Sequence, residues 1–261
     1  MRFKILLELQ RDVMGNEIPI NYQYPLQSAI YKSLAKSDAE FSTWLHENGY
    51  QVQGKRFKLF TYSGLFVPRY AIDKERERLI VQSNLATLYI GFQPEKSTQR
   101  FVQGVFADQT IQIADHISGA QFRICEAQVQ EPLTYSPDQV FETLSPICVS
   151  ERNDRGHMDY LSPTDPHYEQ GLLTGLLARY EAAYGKPYEG EQYCRLTVLS
   201  TPKSRLVRIK AGTPQETRVR GYLYRFRIDL PEPLMQIAYE SGLGEKGSMG
   251  FGMIKATNLK G

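Results

Sequence analysis

Apolar residues in the first half of the chain switch between the spacing of a strand and the spacing of a helix. Every second residue from Phe3 to Leu9 is apolar, which predicts a strand with one buried face. Behind Pro25 the apolar residues recur every three to four positions, which predicts a helix. The predicted elements of this half are a strand at 2–10, a helix from Pro25, a second helix from a capping box of Ser37 and Glu40 to Gly49, a strand at 57–62, another from 79–82 toward 85–92, a helix at 94–106, and closing strands at 109–113 and 121–130.

The second half repeats this order of elements without evident sequence identity to the first. Its predicted elements are a strand at 144–150, a helix at 168–184, strands at 194–200, 206–210 and 219–228, a helix at 231–241 and a strand at 249–255. Each half therefore has the order β-α-β-β-α-β. The expected fold class is α+β, with two tandem ferredoxin-like (RRM-like) domains at 1–131 and 139–261 and a proline-containing connector between them.

Composition narrows the class of protein. Hydrophobic residues make up 41% and charged residues 23% of the 261 residues, which is typical of a soluble globular protein. The sequence shows no apolar run near the roughly 20 residues that span a bilayer, and no signal-peptide pattern, so we expect a cytoplasmic protein without a membrane partner. Cys125, Cys148 and Cys194 lie far apart, without metal-ligand spacing, and are predicted to be buried free thiols. No metal or other cofactor is predicted.

Positive charge is concentrated in one segment. The formal net charge of the chain is only +2, but residues 195–227 contain nine basic residues and one acid, Glu216, and so carry +8. The remainder of the chain must then carry −6. A solvated sheet face usually mixes both signs, so this segment favours a surface that binds a polyanion.

Five glycines fall within residues 242–252. Ordinary helices and strands avoid this density, because each glycine costs backbone entropy on folding. Two interpretations fit: a helix C-cap at Gly242 followed by a tight turn, or a concavity of backbone N–H groups that holds a phosphate. The helix-before-strand order and the residue pattern match neither a dinucleotide fingerprint nor a Walker loop.

The glycine spacing and the order of elements resemble a known family. A Gly-hydrophobic-Gly motif at 242–244, five residues, and a second at 250–252 are typical of the repeat-associated RNA-binding (RAMP) superfamily of CRISPR systems. Other matches follow in the family's order: Gln23-Tyr24-Pro25-Leu26-Gln27 with Ile30-Tyr31, Trp44-Leu45-His46-Glu47, Lys58-Leu59-Phe60-Thr61-Tyr62-Ser63 and Leu144-Ser145-Pro146-Ile147. Over nearly its whole length the chain resembles the precursor-CRISPR-RNA endoribonucleases, the sixth CRISPR-associated protein family.

The resemblance implies an enzyme that cleaves CRISPR precursor RNA within its repeats to give guide RNA. In this family the 2′-hydroxyl of the RNA attacks the phosphate without a metal, leaving a 2′,3′-cyclic phosphate and a 5′-hydroxyl. The catalytic tyrosine, histidine and lysine of the family fall on Tyr31, His46 and Lys58. Histidine can give or take a proton at neutral pH, and lysine can stabilise charge on the phosphate. The segment before Lys58 is long, so Lys55 is an alternative for the active lysine.

The resemblance also places RNA between the two domains, against the glycine-rich stretch. The residues expected to bind RNA are Lys203, Arg205, Arg208, Lys210, Arg218, Arg220, Arg225, Arg227, Gly242, Gly244, Lys246, Gly247, Gly250 and Gly252. Some of the arginines could instead pair with acids of the first domain. Tyr222 and Tyr224 could stack on bases or pack across strands.

Three functions compete. The first is the metal-independent endoribonuclease, and the second is a catalytically inactive RNA-binding subunit of a CRISPR effector complex. The third is a metabolic enzyme with a nucleotide at the glycine-rich stretch, which the basic segment disfavours. The family histidine at His46 favours the first. The partner is then CRISPR repeat RNA, as precursor and as product; hand-over to an effector complex and a homodimer are compatible with the sequence.

Overall fold

The computed structural model describes residues 1–93 and 95–257. Its first half is built around an antiparallel sheet. In chain order its elements are β1 (Arg2–Leu9), α1 (Arg11–Met14), β2 (Glu17–Pro19), α2 (Gln23–Ser37), α3 (Ala39–Glu47), β3 (Tyr50–Val52), β4 (Lys55–Phe57), β5 (Phe60–Tyr62), β6 (Tyr70–Asp73), β7 (Arg78–Val81), β8 (Leu85–Phe92), α4 (Glu95–Asp108), β9 (Thr110–Ala114) and β10 (Gly119–Val129).

The main sheet of this half has the order β5-β8-β1-β10-β9. Four of these strands, counted along the chain as first (β1), second (β5), third (β8) and fourth (β10), lie side by side in the order second, third, first, fourth. Strand β9 extends the edge beside β10. The alternating apolar residues of β1 and the helical stripe of α2 are buried in one core, as their spacing predicts. Each such side chain contributes about 1.5–3 kcal/mol when fully buried.

Local details of the first half differ from the sequence prediction. The N-cap of α3 is Asp38, whose carboxylate accepts a hydrogen bond from the Phe41 amide at 2.9 Å, and Ser37 still belongs to α2. The predicted strand at 57–62 is divided at Leu59, which has a φ of +53°, because residues 50–57 pair as a separate β3–β4 hairpin. The predicted helix at 94–106 is confirmed as α4 from Glu95; Pro94 lies outside the described residues.

The second half contains a second antiparallel sheet. Its elements are β11 (Val140–Thr143), β12 (Ser150–Arg152), β13 (Met158–Tyr160), α5 (Tyr168–Tyr184), β14 (Arg195–Val198), β15 (Lys203–Ile209), β16 (Thr217–Leu223), β17 (Arg225–Asp229), α6 (Glu232–Ser241), a 3₁₀ turn (Gly247–Met249) and β18 (Ile254–Thr257). The sheet order β14-β17-β11-β18 is again second, third, first, fourth. The α5 and α6 side chains share its core with Phe226 and Ile228.

Three predictions for this half are wrong in detail. Residues 144–149 make only isolated bridges, from Ile147 and Cys148, and the first strand of the sheet precedes them. The predicted strand at 219–228 is split into β16, which pairs with β15 as a separate hairpin, and β17 in the main sheet. The last strand starts at Ile254, because Gly250 and Gly252 have positive φ angles that interrupt an extended chain.

Cys148 and Cys194 are buried free thiols, as expected, and burial raises the pKa of each to about 12. The prediction for Cys125 is wrong, since this thiol is exposed in the middle of β10. Across residues 1–93 and 95–257, no helix is both long and apolar enough to cross a membrane. The chain between β10 and β11 has neither helix nor strand. The division into domains at 131 and 139 stays a prediction.

Candidate active site and nucleic-acid interface

Two consecutive helices bring Tyr31 and His46 together. Tyr31 follows Ile30 on the buried stripe of α2, and His46 follows Leu45 in the last turn of α3. Their ring centroids are 5.1 Å apart, with the rings nearly perpendicular. Tyr31 also meets Phe60 of β5 edge to face, at 5.7 Å. The tyrosine is buried and the histidine exposed, so the pair presents one fixed and one solvent-facing polar group.

Lys58 reaches the same point from the loop between β4 and β5. Its ammonium donates to the backbone oxygen of His46 at 2.6 Å and to that of Leu45. A cation at these carbonyls complements the negative end of the α3 dipole. Burial, together with the nearby charge of Arg56, lowers the pKa of Lys58 to about 8. A Cβ atom on residue 49 would lie 2.5 Å from the backbone oxygen of Phe57, so the close approach of these two backbone segments requires glycine at Gly49.

The β3–β4 hairpin explains the long segment that precedes Lys58. Arg56 donates to the backbone oxygen of Glu47 at 2.9 Å, and Gln53 donates to the carboxylate of Glu181 in α5 at 3.3 Å. The hairpin therefore connects α3 to the second half of the chain. Lys55 lies exposed on β4, whereas Lys58 lies beside His46. Of the two candidate lysines, only Lys58 reaches the carboxyl end of α3.

Four glycines of residues 242–252, here called the glycine loop, are buried against protein: Gly242, Gly244, Gly250 and Gly252. A methyl group on Gly244 would overlap the Cys148 carbonyl oxygen, and one on Gly250 would meet the Tyr62 ring at 2.7 Å. These contacts give the four glycines a packing role. The part of the loop that remains half-exposed is residues 245–249, which includes Lys246 and Gly247.

Both halves of the chain hold the glycine loop in place. Thr61 of β5 donates to the Phe251 oxygen at 2.8 Å, and the buried Arg179 of α5 donates to the Gly242 oxygen. The carboxylate of Glu245 accepts from the Ser150 amide at 3.1 Å and from its hydroxyl at 2.8 Å. Sequence reasoning missed Arg179, although an arginine three residues after Leu176 on an apolar stripe is a visible signal.

The loop also lies beside the candidate catalytic groups. Its 3₁₀ turn packs against α2 and β5, the two elements that carry Tyr31 and Phe60. The rings of Tyr31, Phe60 and Tyr62 follow one another at 5.7 and 6.5 Å, and Gly250 lies against the last. The loop and the catalytic candidates therefore lie on neighbouring elements.

The basic segment is divided between two surfaces. In the β15–β16 hairpin, Arg208 faces Arg218 and Leu206 faces Arg220. Val207, Ile209 and Val219 on the other face are buried with Phe251. The main sheet contributes Arg225 and Arg227. All of the predicted basic residues are exposed or half-exposed: Lys203, Arg205, Arg208, Lys210, Arg218, Arg220, Arg225 and Arg227.

Some of this charge is engaged within the protein. Arg208 forms an ion pair with Glu77 of the first half and its amide donates to Asn21 at 3.1 Å, as the sequence allowed for some arginines. Tyr224 is buried and shares a hydrogen bond of 3.0 Å with the Tyr168 hydroxyl. The packing interpretation therefore holds for Tyr224, and base stacking does not.

Family models match the two halves of the chain separately. The model of the N-terminal part of CRISPR-associated protein Cas6 matches residues 17–128, and that of the C-terminal part of Cas6 matches residues 129–256. A CRISPR-associated endoribonuclease Cas6 1 from Methanocaldococcus jannaschii is 30% identical to this chain, over 96% of it and 91% of that protein. The chain belongs to the Cas6 family.

Two further similar proteins match this chain over its whole length. A CRISPR-associated endoribonuclease Cas6 from Pyrococcus furiosus is 28% identical, over 100% of this chain and 91% of that protein. The solved structure of a Cas6-related gene product from P. furiosus has a TM-score of 0.80 and 25% identity, and covers 100% of this chain and 99% of that one. The family resemblance and the tandem ferredoxin-like fold predicted from sequence are confirmed.

Each of the two Cas6 family models matches one part of the candidate site. Tyr31, His46 and Lys58 fall in the part matched by the N-terminal model, and the glycine loop in the part matched by the C-terminal model. The candidate site thus combines residues from both halves of the chain.

Proposed function

We propose that this chain is an endoribonuclease that cleaves CRISPR precursor RNA within its repeats to yield guide RNA. The observation that carries the proposal is the convergence of a tyrosine, a histidine and a lysine at the end of α3, with the two ring centroids 5.1 Å apart and the lysine hydrogen-bonded to the histidine backbone. The two named relatives described above are endoribonucleases, which supports the same reaction class.

The proposed reaction moves one proton and exchanges two bonds to phosphorus. The 2′-oxygen forms a bond to the phosphorus, the bond to the 5′-oxygen breaks, and a 2′,3′-cyclic phosphate and a 5′-hydroxyl result. His46, exposed at the surface, is the group that carries the proton from the 2′-hydroxyl to the departing oxygen. Burial raises the pKa of Tyr31, so its hydroxyl stays protonated and orients the attacking group. The Lys58 ammonium stabilises charge on the phosphate.

RNA is proposed to lie over the half-exposed part of the glycine loop, with the cations of β15, β16 and β17 on its phosphates. Lys246 and Gly247 are the loop residues proposed to touch RNA. The buried glycines act by holding the loop against β5. Hand-over of the product to an effector complex, a homodimer and a cytoplasmic location stay predictions.

A catalytically inactive RNA-binding subunit is the alternative. The glycine loop and the basic hairpin would serve such a subunit equally well. The pairing of His46 with Tyr31 favours the enzyme, because a protein that only binds RNA does not need a proton carrier at this point.

Incubation of the protein with repeat RNA in EDTA tests the function. We expect cleavage at a single position, with a cyclic phosphate on the upstream product, because the three proposed groups are side chains of the protein. RNA with a 2′-deoxy nucleotide at that position is the control and should stay intact. Tight binding of an RNA that is never cut would establish the inactive subunit, and no affinity for RNA would refute both proposals.

The role of Lys58 predicts a specific pH dependence. Its ammonium is charged below pH 8 and loses its charge as the pH rises through about 8, the pKa given by its burial. Arginine at this position stays charged throughout. The ratio of the cleavage rate of the unmodified protein to that of Lys58→Arg should therefore fall about tenfold per pH unit above this point. Taking the ratio cancels any pH effect that the two proteins share.

Lys55→Arg is the matched control, since Lys55 is exposed three residues upstream on β4. Its ratio to the unmodified protein should stay constant between pH 7 and 10. A constant ratio for Lys58→Arg as well would show that the charge of Lys58 takes no part in the reaction.

A further inference from the structure

A cavity of about 260 Å³ opens where three segments meet: the start of α2, the β9–β10 turn and the β15–β16 turn. Both halves of the chain line it, and none of Tyr31, His46 and Lys58 does. Tyr24 in its wall precedes Tyr31 by seven residues on the same helix. Lys32, the residue after Tyr31, also lines it, so the cavity runs along α2 to the level of the candidate active site.

The lining of the cavity is positively charged. Lys32 and Lys210 supply its positive charge, and its one acid is Asp115. Asp115 is engaged by the buried Arg78 at 2.9 Å and accepts from the amides of residues 117 and 118. Its negative charge is thus compensated inside the protein, while the lysines face the cavity. The expected ligand is an anion.

Tyr24 gives the cavity a fixed aromatic wall. The ring packs against the apolar cluster that contains Val207 and Ile209, and the Lys210 ammonium lies 5.9 Å from the ring centroid. The hydrogen bond from the Arg208 amide to Asn21, at 3.1 Å, ties the start of α2 to the hairpin. An aromatic ring beside cations is what proteins use to hold an unpaired base and its phosphates.

We propose that this cavity holds one unpaired nucleotide of the repeat RNA, with its base on Tyr24 and its neighbouring phosphates on Lys32 and Lys210. The inference rests on the proposed function, because it takes RNA as the ligand. The volume lies just below the roughly 300–1,000 Å³ of pockets for drug-sized ligands, so it suits a single base and is too small for a base pair. The Tyr24-Pro25 motif at the start of α2 then contributes to the specificity for the RNA.

Abasic scanning of an uncleavable repeat RNA tests the proposal. Each RNA carries a 2′-deoxy nucleotide at the cleavage position and lacks one base elsewhere, and its affinity is measured for the unmodified protein and for Tyr24→Leu. One missing base should weaken binding to the unmodified protein about 10-fold. The same missing base should have almost no further effect on Tyr24→Leu, because its stacking partner is already gone. Leucine keeps an apolar contact with Val207 and Ile209.

Two further variants keep the result independent of folding. Tyr24→Phe retains the ring and should retain the full penalty at that base. Lys32→Gln changes an exposed residue and should reduce the slope of log Kd against log salt by about 0.7. Tyr70→Leu, at an exposed tyrosine of β6, is the matched control and should reproduce the unmodified profile.

Equal abasic penalties in Tyr24→Leu and the unmodified protein at every position would overturn the inference. That result leaves the proposed function standing, because RNA is still bound and cleavage is measured separately. An unmodified protein that binds the repeat without cutting cleavable RNA would refute the enzyme but not the nucleotide pocket. An unmodified protein with no RNA affinity would refute both.

Discussion

Replacing His46 by alanine is expected to slow cleavage of repeat RNA by about 10²- to 10⁴-fold while leaving RNA affinity unchanged. The imidazole is exposed at the end of α3 and packs only edge-on with Tyr31 among the ring pairs of the described residues. Its loss therefore opens no buried cavity and removes mainly a proton carrier. Single-turnover cleavage in EDTA gives the rate, and binding of the 2′-deoxy RNA gives the affinity.

His157→Ala is the matched control for this experiment. His157 is exposed on the β12–β13 hairpin, and its contact with Asn153 is made by the backbone amide, which alanine keeps. This variant should cleave at the unmodified rate. If His46→Ala also cleaved at that rate, another group would have to carry the proton. If it bound RNA poorly, His46 would instead be a contact to the substrate.

The parts of the fold that sequence predicts well are those fixed by local periodicity. The helix at 168–184 has the predicted bounds, because its leucines form one long stripe and Gly185 ends it in the left-handed conformation. The strand at 144–150 fails for the opposite reason. Its apolar residues Leu144, Ile147 and Cys148 are buried by contacts with distant segments, at 222, 245 and 253, and an apolar run alone does not distinguish this from a sheet.

In the candidate site, too, some residues can be predicted from sequence and others require the structure. The resemblance to a family selects Tyr31 and His46, and the structure brings their rings together, but their roles in catalysis stay predictions. Lys58 could not be separated from Lys55 by sequence, since the choice depends on how the 50–57 hairpin folds back on α3. The Tyr24 cavity requires three segments that are far apart along the chain. Only a tertiary structure shows that they meet.

The glycine loop is where sequence reasoning and structure differ most in physical terms. Glycine density at 242–252 is equally compatible with a backbone that approaches RNA and with a backbone that approaches protein. The atoms that exclude a side chain belong to distant residues, such as Cys148 at Gly244 and Tyr62 at Gly250. The contacts between the loop and β5 join the halves of the chain, and residues 245–249 lie beside the candidate site.

Gly252→Ala is therefore expected to lower the free energy of unfolding by about 4 kcal/mol or more. The new methyl group would overlap the Leu243 carbonyl oxygen in a buried site, at a φ of +77°. Gly156→Ala is the control, because Gly156 has nearly the same φ, +78°, with open space around it, and should cost only about 1 kcal/mol. Urea denaturation measures both. Equal losses of unfolding free energy in the two variants would mean that backbone strain, and not the packing between Leu243 and Gly252, fixes the loop. A larger loss for Gly252→Ala would show that the glycines hold the loop against protein.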